Sequence, residues 1–118
     1  MLSGIGVEHV YLACGATDLR KSVDGLAAIV QYHFVLDPFA PALFVFCNRH
    51  CDRLKILYWE HNGFWLFYRR LESGRFRWPQ TNEGTAHAIT RRQLQWLLAG
   101  LEIEQKKAHP ALTARTIL

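Results

Sequence analysis

The sequence predicts an α+β domain: a four- or five-stranded, mainly antiparallel sheet with two helices packed on one face. Three observations predict it. Runs of aromatic and β-branched residues in the middle of the chain are separated by the turn signals Asn62-Gly63 and Ser73-Gly74. A stretch on each side of those runs places apolar residues at helical spacing. The chain has 118 residues, half of them hydrophobic, which suffices for one packed domain and not for two. That domain is expected over residues 1–103, followed by a polar, flexible tail at 104–118.

Residues 7–13 (VEHVYLA) read as the first strand. Cys14-Gly15-Ala16 ends it, and Thr17 stands where it can cap a helix over 18–34. Leu19, Val23, Leu26, Ala27, Val30 and Phe34 share one stripe of that helix, the side expected against the sheet. Pro38 and Pro41 make 37–41 a loop, because each restricts itself and its predecessor. Strands are expected at 43–47, 53–60 and 64–72, with a short one at 75–78. Residues 83–85 belong to a connecting loop. A helix over 91–99 follows, with Thr90 and Gln93 as a capping box and Gly100 as its stop.

The charge is unevenly placed. Of a net +4, residues 49–92 hold nine basic and four acidic residues, net +5, and the remainder is net −1. Residues 43–79 also hold ten of the fifteen aromatics. A cationic, aromatic centre is compatible with phosphates and bases. Three cysteines cannot all pair, and the N-terminus shows neither a signal peptide nor a long apolar span. The expectation is a cytoplasmic protein with reduced thiols and no membrane partner.

If Asn62-Gly63 and Ser73-Gly74 are both two-residue turns, Lys55 stands opposite Arg70, and Arg70 opposite Arg77. The three cations then form a row across three strands. Directly opposed like charges destabilise a sheet, so such a row requires an anion, a carboxylate or solvent. Arg53, Glu72 and Arg75 form the neighbouring row, and Leu57, Trp59, Leu66 and Tyr68 share the face. The other face, with Leu54, Ile56, Tyr58, Trp65, Phe67, Leu71 and Phe76, is the better core. Lys and Arg heads lying over apolar neighbours would give the same pattern without a ligand.

The first helix adds Arg20 and Lys21 in its first turn, where positive charge opposes the helix dipole. Lys21, Gly25, Ala28 and Tyr32 cluster away from its apolar stripe. A mid-helix glycine costs about 1 kcal/mol relative to alanine. Close approach of a partner would account for Gly25, and so would a helix that tolerates one glycine.

Other chemistries find little support. Cys47, His50 and Cys51 look like half a zinc site without a second paired spacing, so no metal or cofactor is expected. Asp18 and Asp24 point to different sides of a helix, and Asp52 and Glu60 stand at opposite ends of one strand. Catalytic carboxylates do not converge, and no phosphate-binding loop or nucleophile motif occurs. The chain is not expected to be an enzyme.

Three stretches carry a resemblance: CGATDLRKSVDGLAAIV at 14–30, DPFAPALFVFCNRHCDRLKILYWEHNGFWLFYRRLESGRFRWP at 37–79 and ITRRQLQWLLAGLE at 89–102. Together they resemble the small accessory protein of the insertion-sequence 66 family of bacterial transposable elements. Ser22 stands where that family often has glycine, and arginine is sparser here around His50 and Cys51. The resemblance implies a role in DNA transposition beside a larger transposase, which would hold the catalytic chemistry.

The expected function is therefore that of a non-catalytic accessory factor acting on DNA. Lys55, Arg70 and Arg77 are the candidate phosphate contacts, flanked by Arg53 and Arg75 and joined by Arg20 and Lys21. Trp59 and Tyr68 are available for stacking or for packing against a partner. In the alternative, the chain is an adaptor that docks on the transposase, or on another copy of itself, through that face or through Gly25 and Ala28. An auxiliary nuclease is a third, weaker reading.

Overall fold

The computed structural model describes residues 7 and 9–105. It contains β1 (His9–Ala13), α1 (Val23–Ala28), β2 (Ala42–Cys47), β3 (Arg53–Glu60), β4 (Gly63–Arg70), β5 (Ala86–Ile89) and α2 (Arg91–Leu98). The strands form one five-stranded sheet in the order β4-β3-β2-β1-β5. β1 and β2 run parallel, and the other three pairings are antiparallel. Parallel neighbours need a crossover between them, and α1 supplies it. Glu8 and residues 106–118, most of the expected tail, lie outside the described residues.

β2 is buried along its whole length because both of its faces are covered. On one face Leu43, Val45, Leu54 and Ile56 pack with Phe76, Trp78 and the α2 residues Leu94 and Leu97. On the other, Phe44, Phe46 and Leu57 pack with Leu26 of α1 and with Val30. The α+β class and the mainly antiparallel sheet are as expected, but the helices divide between the two faces. Both faces of the central strands are apolar enough to need a cover, and alternation within β2 offers no single preferred side.

The first helix begins later than Thr17. The Asp18 carboxylate accepts hydrogen bonds from the Arg20 backbone N–H (3.0 Å) and from its guanidinium (2.8 Å at the closest). This local turn competes with the helix for the same backbone groups. Thr17 instead donates its N–H to the Cys47 carbonyl at 2.8 Å, which ties the loop to the end of β2. Ser22 takes the N-cap position, so Arg20 and Lys21 precede the helix. Beyond Ala28 the chain widens into a π-helical turn, Ile29–His33, which closes on the Phe34 N–H to Ile29 carbonyl bond. α2 starts as expected, with both arms of the Thr90–Gln93 capping box formed.

The β3–β4 turn is centred one residue earlier than the Asn-Gly signal. His61 and Asn62 both adopt positive φ (51° and 67°), and Gly63 already pairs with Glu60. Both central residues of a type I′ turn need positive φ. Lys55 therefore faces Tyr68, and Arg53 faces Arg70. A shift of two in the pairing leaves every side chain on its expected face, since only an odd slip exchanges faces.

Residues 75–78 make no ladder. Phe76 donates its N–H to the Cys51 carbonyl (2.7 Å), and the Trp78 indole donates to the Ala13 carbonyl (2.9 Å). Both rings are buried, and together they draw this segment across the face that α2 covers. The fifth strand is instead β5, paired to β1, between the 83–85 loop and the second helix, where no element is expected.

Candidate nucleic-acid interface

Asn48 organises the turn between β2 and β3. Its side-chain oxygen accepts the backbone N–H groups of Asp52 (3.1 Å) and Arg53 (3.0 Å), and its amide donates to the Asp52 carboxylate at 2.7 Å. That last bond is the main reason the Asp52 carboxyl lies below its ordinary range. With Cys51 held at a φ of 58°, the turn is fixed, and Arg49 and His50 are exposed at its tip.

Facing this turn is the loop tied down through Thr17. Between them lies an open cleft of about 700 Å³ lined by Asp18, Arg20, Asn48, Arg49, His50, Arg53, Lys55 and Tyr68. Lys55 forms its floor and acts as a strut. Its ammonium donates to the Leu19 carbonyl at 2.7 Å and the Lys21 carbonyl at 3.1 Å, leaving one of three N–H groups for a ligand. Arg20 is held by Asp18, whose carboxyl is kept well below the usual range chiefly by the guanidinium hydrogen bonds. Arg49 and Arg53 are exposed and make no ion pair among the described residues, although the charge of Arg53 helps to lower the neighbouring Asp52 carboxyl. Tyr68 is 54% exposed at the cleft's side.

The row of Lys55, Arg70 and Arg77 does not form. Arg70 stands beside the cleft opposite Arg53 and is paired with Glu72 at 3.0 Å. Arg77 is carried off by the buried anchors on either side of it and approaches Glu102 at 3.7 Å. Arg75 is exposed outside the cleft, and Lys21 lines a separate groove with Gly25, Ala28 and Tyr32. Trp59 is half-buried between Phe39 and Phe64, with ring centroids 4.8 and 4.9 Å away, so it packs within the protein. Trp65, expected in the core, is 54% exposed because β4 is an edge strand. Residue pattern alone does not mark Arg49 and His50 as cleft residues. Their only signal is a polar turn, NRHC, between two strands.

Among the described residues no three His, Cys, Asp or Glu side chains gather as metal ligands would. Burial pushes the Cys47 thiol up, which keeps it protonated. No helix among the described residues is long and apolar enough to cross a membrane.

Fold and cleft together define a small α+β protein whose most distinctive surface is an open cationic cleft. The family model of IS66 Orf2-like proteins matches residues 8–108, and the chain belongs to that family, among the accessory proteins of insertion-sequence transposition. It is 34% identical over 102 residues to the uncharacterized protein y4jC of Sinorhizobium fredii, covering 86% of each chain. It is 42% identical over 94 residues to the uncharacterized protein y4hO of the same organism, covering 80% of this chain and 81% of that one. No solved structure matches it.

Proposed function

We propose that this protein is a non-catalytic, cytoplasmic accessory factor of transposition that binds the phosphate backbone of DNA in the cleft between the 48–50 turn and the 16–20 loop. The observation that carries the reading is the convergence of Arg49, His50 and Arg53 on one open cleft, with neither arginine in an ion pair among the described residues. Arg20 and the free N–H of Lys55 extend the cationic surface, and Tyr68 offers a ring for stacking against a sugar or base. The test is binding to terminal inverted-repeat DNA and to unrelated DNA across a salt series, with and without the transposase. Affinity for both DNAs is expected to fall steeply with salt. Absence of DNA binding at low salt would refute the reading.

One observation favours an adaptor role. Gly25, Ala28 and Tyr32 line a separate groove of about 530 Å³, and Tyr32 is 73% exposed. Co-purification with the transposase that survives nuclease treatment, without DNA affinity of the chain's own, would establish that reading in place of the first.

A further inference from the structure

Among the described residues the sheet has two free edges of different character. β5 is four residues long, and short edges pair poorly with other chains. β4 is eight residues long, has no proline, and has its only glycine at the first position. Among the described residues it pairs with β3 alone. Glu60 and Gly63 flank a two-residue turn, and the Leu71 N–H continues the ladder to the Asp52 carbonyl at 2.7 Å. The hydrogen bonds of an antiparallel pair alternate along the strand. Residues 65, 67 and 69 therefore turn their backbone groups toward β3, and Phe64, Leu66, Tyr68 and Arg70 turn theirs outward.

We propose that β4 is a dimerisation edge, on which two copies of this chain pair antiparallel about a two-fold axis near Leu66 to form a ten-stranded sheet. Charge on the β3–β4 hairpin favours a second copy as the occupant. Arg69 and Arg70 lie at one end of β4, and Glu60, the last residue of β3, stands beside Gly63 at the hairpin end, its carboxylate accepting the Trp65 indole N–H at 3.2 Å and lying 3.8 Å from His61. Antiparallel pairing brings the arginine end of each copy to the Glu60 end of the other, whereas parallel pairing sets arginines against arginines. The exposed rings fit the same arrangement. Trp65 and Tyr68, each 54% exposed on opposite faces of β4, come to lie across from Phe67 and Phe64 of the second copy. Such aromatic cross-strand pairs stabilise a sheet.

The pairing does not depend on what the cleft binds. It keeps both clefts on one face of the joined sheet, with the two Arg70 positions about eight residues, or roughly 26 Å, apart along the strands.

Sedimentation of the full chain, combined with amide hydrogen exchange, tests the proposal without any substitution. The chain is expected to sediment at twice its 13.7 kDa and to dissociate on dilution. In the dimer the Leu66 and Tyr68 amides should exchange at least about tenfold more slowly than in the diluted monomer. The amides of Trp65 and Phe67, bonded to β3, should be protected in both. A chain that stays monomeric at about 100 µM overturns the proposal, since the edge would then bind its own kind no better than a weak encounter. So does a dimer in which the Leu66 and Tyr68 amides exchange freely, because its contact would lie elsewhere.

Discussion

At one end of the β3–β4 hairpin Trp59 and Phe64 pack ring against ring with Phe39; at the other, Arg53, Arg70 and Tyr68 face solvent beside the 48–50 turn. Both ends come from one stretch in which aromatic and basic residues mix. The aromatic end is held by contact area, and its rings have already found partners within the chain. The cationic end is held by hydrogen bonds: Asn48 fixes the turn, Lys55 ties the facing loop, and Arg49 and Arg53 make no ion pair among the described residues. Buried area without free charge serves the fold. Free charge on a fixed backbone can serve a ligand.

Substitutions at the two ends should separate these roles. Trp59→Ala removes a half-buried ring and is expected to cost about 2–3 kcal/mol, less than the ~3–5 of a fully buried one. Denaturant unfolding would measure the loss, and DNA affinity of the folded variant should be unchanged. Asn48→Ala deletes the three side-chain hydrogen bonds that Asn48 makes across the turn and is expected to cost about 1–2 kcal/mol. Unlike Trp59→Ala, it should also weaken DNA binding, because Arg49 and His50 lose their fixed support.

A pH series sharpens the comparison at the cationic end. The Asp52 carboxyl is lowered chiefly by its hydrogen bond from Asn48. The stabilisation is therefore present above the ordinary Asp value of about 3.9 and is lost as pH falls through the lower folded value. Stability measured between pH 6 and pH 3 should fall less steeply in Asp52→Asn than in the native chain. Equal slopes would mean that the turn does not depend on this carboxylate.

Local patterns made much of the fold legible. β3 follows from alternation and α2 from its capping box, both of which act within a few residues. β5 was not legible, since Ala86–Ile89 (AHAI) has little strand character and becomes a strand by pairing with β1. The expected cation row failed for two separate reasons. The turn sits one residue early, which moves Lys55 from Arg70 to Tyr68, and burial of Phe76 and Trp78 takes Arg77 out of the hairpin. Arg53 and Lys55, expected on a strand, and Arg20, expected on a helix, line one cleft, a neighbourhood that no local pattern announces. Arg49 and His50 sit in a single turn, where no periodicity reports which way a side chain points. Their partner across the cleft, the 16–20 loop, is brought there by the Thr17 N–H to Cys47 carbonyl bond, which no local pattern encodes.

The smallest expected effect on stability belongs to Arg49→Ala combined with Arg53→Ala, since both side chains are exposed. The change should lie within about 0.5 kcal/mol. The same pair tests the central claim most directly, through the salt dependence of binding to terminal inverted-repeat DNA. Each phosphate contact contributes about 0.9 to the slope of log affinity against log salt. The double variant is therefore predicted to bind more weakly at low salt, with a slope shallower by about 2. A double variant that folds normally and keeps both the affinity and the slope of the native chain would contradict the assignment of this cleft to DNA.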